Sequence, residues 1–240
     1  MATHDLASDG QAIDPSEGLV NRICCVIFDL DGVLVDSEIW WDEVRATFAS
    51  DHGRTWTADD QAAVMGANSA AWARIMRERL HLDMPDADIE RAIVDAVVAR
   101  YRAEGPPSID GAVEAVRRIA AERPVAVASS AHPAVIDAAL EATGLAGTFP
   151  VVVSSDEVDH GKPAPDVYLE AARRLGCEPA GCLVVEDSLN GVRAAKAAGM
   201  TVVLVPNRSV PPAAGTAELA DLVLDRLADL DPSDIAGTRR

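Results

Sequence analysis

Three short apolar runs in this chain each stop dead at a polar residue, and that pattern limits the possible folds more than any other feature. Cys24-Cys25-Val26-Ile27-Phe28 ends at Asp29, Val125-Ala126-Val127-Ala128 ends at Ser129, and Leu183-Val184-Val185 ends at Glu186-Asp187. Further runs at Val151–Val153, Thr201–Val205 and Leu222–Leu224 have the same character. Unbroken apolar runs of this length suit strands buried on both faces of a parallel sheet. Helical patterns alternate with them: from about Gly111 to Glu122 with Asp110 as its cap, from Pro133 to near Gly144, from about Pro165 to near Gly176, and from about Leu189 to Ala198. Proline at the start and glycine at the end is the punctuation expected of helices. Strand alternating with helix predicts an α/β fold, a doubly wound, Rossmann-like parallel sheet.

Residues 39–105 break that rhythm. They contain no strand-like run, and show helical stretches at roughly 39–52, 58–65, 70–80 and 86–104, separated at His52-Gly53, Gly66 and Met84-Pro85. All four tryptophans, Trp40, Trp41, Trp56 and Trp72, fall here. The sequence therefore predicts a helical cap domain over 39–105, closed by Pro106-Pro107 and inserted into a core made of 21–38 and 106–240. Residues 1–20 are acidic and polar, without a signal-peptide core, and read as a disordered N-terminal tail.

Charge narrows the partners. The chain carries 39 acids against 21 bases, a net charge of −18. A nucleic-acid backbone is excluded as a partner on that ground, and no apolar run is long enough to span a membrane. Only two of the bases are lysines, Lys162 and Lys196; the remainder are arginines. Arginine offers a planar fork and lysine a compact point charge, so a chain that prefers arginine singles out its two lysines. Lys196 falls near the C-terminal end of its helix, where a cation suits the dipole. Of the four cysteines, Cys24 and Cys25 read as buried thiols; with Cys177 and Cys182 they show no Cys-x-x-Cys spacing and suggest neither a zinc site nor a disulfide framework. His52, His81, His132 and His160 lack ligand spacing. A reducing cytoplasm is the expected location.

In open parallel sheets, ligands bind beyond the carboxyl ends of the strands. If the three main runs are neighbours, Asp29, Asp31, Ser129, Glu186 and Asp187 converge. Four carboxylates in one pocket repel one another unless a cation is present, and hard oxygen ligands favour Mg²⁺, which also attracts phosphate. The metal keeps Asp29 ionised and able to act as a nucleophile. Ser129 and Ser130 precede the helix opened by Pro133, where free N–H groups favour an anion. Lys162 lies in the proline-stiffened loop Gly161-Lys162-Pro163-Ala164-Pro165, well suited to hold an ammonium against a phosphate.

These residues resemble the motifs of the haloacid dehalogenase superfamily. Asp29-Leu30-Asp31-Gly32-Val33-Leu34-Val35-Asp36-Ser37-Glu38 resembles its first motif, Ser129 its second, Lys162 in Gly-Lys-Pro-Ala-Pro-Asp its third, and Glu186-Asp187-Ser188-Leu189-Asn190-Gly191 its fourth. The likeness spans roughly residues 23–225 and is to the beta-phosphoglucomutase-like branch with its sugar-phosphate phosphatases; the insert stands where that family carries its helical cap. The resemblance implies a Mg²⁺-dependent phosphatase that forms an aspartyl-phosphate on Asp29. Asp31 would be general acid and base and give its backbone carbonyl to the metal. Asp187 would bind the metal, with Glu186 in or near its shell. Ser129, Ser130 and Lys162 would hold the phosphoryl oxygens. The substrate would be a small phosphorylated metabolite, a sugar or sugar-alcohol phosphate, and the protein a monomer.

The rivals differ at single residues. A dehalogenase lacks an acid two residues after the nucleophile, where Asp31 stands. A phosphonate hydrolase needs a cap lysine, and 39–105 contains none. A mutase of the beta-phosphoglucomutase type carries a cap histidine twelve residues after the nucleophile, where this chain has Trp41, and a basic residue in the loop Gly66-Ala67-Asn68-Ser69, where it has Ser69. The cap is thus expected to be poorly equipped for a second phosphate. A phosphoglycolate-type phosphatase and a non-catalytic binding protein on the same fold complete the set. Trp40 and Trp41 cannot share a helix face, so one is expected in the cap core and the other at the site, with Asn68 and Trp72 as further substrate contacts.

Overall fold

A computed structural model describes residues 23–105, 107 and 109–233; the expected N-terminal tail and Pro106 lie outside the described residues. The strands are β1 (Cys25–Phe28), β2 (Val125–Ser129), β3 (Val151–Ser154), β4 (Cys182–Glu186), β5 (Thr201–Leu204) and β6 (Leu222–Val223). They form one parallel sheet in the order β3-β2-β1-β4-β5-β6. The chain builds one half of the sheet outward from β1 and then returns to lay β4 on β1's other side. Strand order therefore reverses beside β1, which is where open α/β sheets form their ligand crevice. Register brings the strand ends level: Phe28 pairs with Val127 on one side and Val185 on the other, so Asp29, Ser129 and Glu186 emerge at the same edge.

Both faces of the sheet are covered, which is why the runs read as continuously apolar. Val26 and Phe28 pack into one core with Val127, Val185 and Ile136; Cys25 and Ile27 pack into the other with Val184, Val192 and Tyr168. Edge strand β6 is only two residues long and exposed, and a short edge limits unwanted strand pairing.

The first four helices follow β1 directly: α1 (Glu38–Asp51), α2 (Ala58–Val64), α3 (Ser69–Leu80) and α4 (Asp86–Glu104). The others are α5 (Ala112–Ala120), α6 (Pro133–Ala142), α7 (Asp166–Leu175) and α8 (Leu189–Ala197). Trp40 and Trp41 diverge on α1. Trp40 meets Tyr101 of α4 edge to face at 5.2 Å, whereas Trp41 meets Trp72 of α3 at 6.3 Å. Helix α4 also packs on α6, tying insert to sheet.

Two expectations are corrected. The residue that caps α5 is Gly111, in the left-handed region at φ 75°, and not Asp110; backbone geometry turns the chain there without a side-chain acceptor. Cys25 is buried but Cys24, just outside β1, is exposed. Among the described residues no helix is long and apolar enough to cross a membrane.

Candidate active site

Asp29 is the first residue past β1, and its backbone N–H still donates to the Val185 carbonyl at 3.0 Å. The chain then folds into a tight loop in which Leu34 N donates to Leu30 O at 2.8 Å and Gly32 N to Val35 O at 2.7 Å. Gly32 has φ 84° and presses against Asp187; a Cβ there would sit 2.0 Å from Asp187 Oδ2. Only glycine allows the β1 loop and the β4 end to approach this closely. Asp31 Oδ1 accepts hydrogen bonds from Ser37 Oγ and, at 3.2 Å, from Trp41 Nε1. Ser37 and Trp41 belong to the entry and first turn of α1, so the insert orients Asp31.

Lys162 reaches the same point from the loop before α7. Its Nζ donates to Asp29 Oδ1 and to Glu186 Oε1, both at 2.7 Å, and lies 4.9 Å from the Tyr168 ring. The Lys162–Pro163 peptide is cis. Burial alone would lower the ammonium's pKa, but Asp29 and Glu186 outweigh it and raise it well above the usual value. Glu186 shows the converse: burial raises it, Lys162 and its other donors more than offset that, and it is held low. Burial pushes Asp29 up to about 8 despite Lys162, and raises Asp31 and Asp187 as well. One ammonium therefore does not balance these four acids.

Asp29, Glu186 and Asp187 bring carboxylate oxygens within 4.8 Å of one another. Proximity makes all three candidates for a divalent cation, but hydrogen bonding separates them. Glu186 Oε1 accepts from Lys162 Nζ and Tyr168 Oη, and Oε2 accepts from Asp187 N, Ser188 N and Ser188 Oγ. A carboxylate offers about four acceptor positions, so five donors leave none for a metal. Glu186, expected in or near the metal's shell, spends these acceptor positions on anchoring Lys162 and the start of α8. Asp29 and Asp187 fit a hard cation, being buried, oxygen-bearing and short of positive charge.

Above these groups lies a cavity of about 350 Å³, lined by Asp29, Asp31, Ser129, Lys162 and Asp187 from the sheet edge. Ser129 Oγ accepts from Ala131 N at 3.0 Å, and Ser130 Oγ lies 3.4 Å from the Gly66 carbonyl of the insert. The remaining wall was not foreseen from sequence. Glu38, Met65, Gly66 and Asn190 line it, together with the loop Val210–Ala213. That loop is held by Asp36, which accepts from Asn207 Nδ2 at 3.0 Å. Hydrophobic patterning could not locate it, because its position depends on a side-chain bond across 171 residues.

Behind the insert's edge is a second, smaller cavity of about 60 Å³, lined by Asp31, Trp41, Arg45 and Trp72 among others. Trp41 and Trp72 thus stand beside the main cavity and not in its wall. Asn68 lines neither; its side chain accepts from Ala71 N at 3.0 Å and caps α3, which removes it from the expected substrate contacts. Arg45 is the residue that sequence reasoning missed. Its guanidinium carbon lies 5.0 Å from the Trp41 ring and 5.5 Å from the Trp72 ring, it is 6% exposed, and its Nε has no hydrogen-bond partner among the described residues. The insert is thus better equipped for an anion than its loop residues suggest.

Comparison with known proteins matches the family model for haloacid dehalogenase-like hydrolases over residues 23–199. The chain belongs to the haloacid dehalogenase-like hydrolases. The bifunctional riboflavin kinase/FMN phosphatase of Arabidopsis thaliana is 33% identical over 217 residues, 90% of this chain, but the chain spans only 56% of that protein's length. A second Arabidopsis relative is matched over 18% of its length. Hexitol phosphatase B of Escherichia coli is matched end to end, 31% identical over 226 residues, 90% of this chain and 98% of the relative. CbbY from Rhodobacter sphaeroides, solved in complex with phosphate, superimposes with a TM-score of 0.74 at 27% identity, covering 88% of this chain and 99% of that one.

Proposed function

We propose that this haloacid dehalogenase-like hydrolase is a Mg²⁺-dependent phosphoric monoester hydrolase acting on a sugar or sugar-alcohol phosphate through an aspartyl-phosphate on Asp29. One observation carries the reading: a buried Asp29 at the cavity floor, 2.7 Å from Lys162, with a second acid, Asp31, oriented independently by Ser37 and Trp41. Nucleophile and proton donor are thereby held by different elements, as phosphoryl transfer with positional control requires.

A bound Mg²⁺ would be held by Asp29, Asp187 and the Asp31 backbone carbonyl, and would supply charge neutralisation for the phosphoryl group. The chain's own groups do the rest. Asp29 attacks phosphorus in line, and Asp31 gives its proton to the departing alkoxide, releasing the alcohol. Burial raises Asp31 and so favours the protonated form this step needs. Asp31 then takes a proton from water as that water attacks the aspartyl-phosphate, which frees inorganic phosphate and restores Asp29. Lys162 and Ser129 hold the phosphoryl oxygens, while Glu186 keeps Lys162 in place. Residues 39–105 act as a cap over a core of 21–38 and 106–240, and one monomer suffices because insert and core of a single chain line the cavity.

The end-to-end likeness to a hexitol phosphatase supports a polyol leaving group. Arg45 favours a second reading, a leaving group bearing its own anion, as in a mutase or a sugar-bisphosphate phosphatase. Phosphate release should be measured on sugar phosphates, hexitol phosphates, sugar bisphosphates, phosphoglycolate and nucleotides. Turnover is expected with Mg²⁺, selective for sugar or hexitol monophosphates, and absent with chelator or in Asp29→Asn. Full activity with chelator, or in Asp29→Asn, would overturn the mechanism. Preference for bisphosphates would select the second reading.

A further inference from the structure

We propose that Cys24, Cys25 and Cys182, with Cys177 beside them, form a thiolate site for a soft divalent cation of the Zn²⁺ type, at the end of the sheet opposite the active site. The observations are spatial. The sulfurs of Cys24, Cys25 and Cys182 all lie within 4.8 Å of one another, and Cys25 Sγ is 3.3 Å from Cys182 Sγ. The Cys177 thiol interacts with both Cys24 and Cys25. Three of the chain's four cysteines thus form one cluster with Cys177 beside it, and all four are free thiols.

Three separate segments bring them together. Cys25 opens β1 and Cys182 opens β4, and the two are register partners on adjacent parallel strands. Cys24 is held just before β1 by its N–H to the Gly181 carbonyl at 2.8 Å. Cys177 follows the left-handed Gly176 that ends α7, its N–H donating to Ala172 O at 3.0 Å. Four residues of β1 separate Cys25 from Asp29, roughly 13 Å at strand rise, so this cluster is distinct from the catalytic carboxylates.

Ordinary core packing does not explain the group. Cys25 and Cys182 are buried, but Cys24 is exposed and Cys177 half-buried, so one side is open to an ion from solvent. Tetrahedral zinc with metal–sulfur bonds of about 2.3 Å sets ligand sulfurs about 3.8 Å apart, a spacing that side-chain rotation can reach from the observed cluster. Thiolates select soft cations over Mg²⁺. Burial and the neighbouring thiols push Cys24 up to about 12 and raise Cys25 also, while the hydrogen bond from Cys25 lowers Cys182. A metal draws the thiol protons off: one M²⁺ and three thiols give one tris-thiolate complex and three protons released to solvent, with the fourth position left to Cys177 or a solvent water. The bound ion would clasp the starts of β1 and β4 to the turn after α7.

The test uses the full chain, reduced, with Mg²⁺ in excess to keep the carboxylate cluster filled. Co²⁺ and Zn²⁺ are titrated while near-ultraviolet absorption and thermal unfolding are followed. One equivalent of Co²⁺ should produce sulfur-to-cobalt charge-transfer absorption together with tetrahedral visible bands. Zn²⁺ should abolish both and raise Tm by about 5–10 °C near saturation. Cys24→Ser and Cys177→Ser, on the open side, should each weaken binding on the order of 100-fold and leave Mg²⁺-dependent phosphate release unchanged. Co²⁺ binding without sulfur absorption in the wild-type chain, or no binding, would overturn the proposal even if a variant failed to fold. Unaltered affinity in both serine variants would overturn it too. Neither result bears on the phosphatase reading.

Discussion

Lys162 answers to two buried carboxylates at 2.7 Å each. Removing its charge in Lys162→Met strands Glu186, which is fully buried, and should cost about 3–5 kcal/mol of stability, measured by urea unfolding. Lys162→Arg keeps the charge but replaces a point donor with a wider fork. It should fold and lose activity on the order of 10²-fold; near wild-type kcat would show that Lys162 is structural only. Trp41 changes meaning once its indole is seen to donate to Asp31. Trp41→Phe keeps an aromatic partner for Trp72 but removes the donor, so kcat should fall about tenfold, most for substrates with poor leaving groups. A loss confined to KM for bulky substrates would mean that Trp41 only contacts the leaving group. At this scale Asp29, Ser129 and Glu186 were legible, since each is the first polar residue after an apolar run. Arg45 and Glu38 were not, because a charged residue on a helix reads as solvent-facing until the partner surface is known.

Helix α8 begins where β4's acids end, and its third residue is Gly191. Helix propensity favours alanine over glycine by about 1 kcal/mol, yet a Cβ at Gly191 would fall 1.6 Å from Glu186 Oε1. The clash dominates, so Gly191→Ala should lower both Tm and kcat by displacing Glu186 and releasing Lys162; a stabilised, active variant would refute this placement. Asn68 provides the contrasting case. Asn68→Ala removes the α3 cap and should cost about 1 kcal/mol without altering KM, since Asn68 lines neither cavity. A large KM change would return it to the substrate surface. Element types were readable because strand and helix periodicities differ and glycine and proline marked most ends. The cap of α5 was not, since Gly111 acts through its φ and not through a side chain.

Over the whole molecule a net charge of −18 surrounds a site that must admit an anion. Raising salt from about 10 mM to 150 mM shortens the Debye length from about 30 Å to 8 Å. KM for a dianionic phosphomonoester should therefore fall as long-range repulsion is screened; a KM that climbs steeply with salt would show that local positive charge governs capture instead. The sequence by itself determined the parallel α/β layering, the helical insert and the residues at the strand ends, because burial on both sheet faces leaves a direct apolar signature and a parallel sheet gathers its strand ends at one edge. Tertiary structure alone decided that Glu186 spends its oxygens on five donors, that α1 turns Trp41 onto Asp31, that Arg45 is buried beside the cavity, and that Cys24, Cys25 and Cys182 meet. Each of these depends on side-chain directions across contacts between residues far apart in the chain, and spacing along one chain carries no record of them.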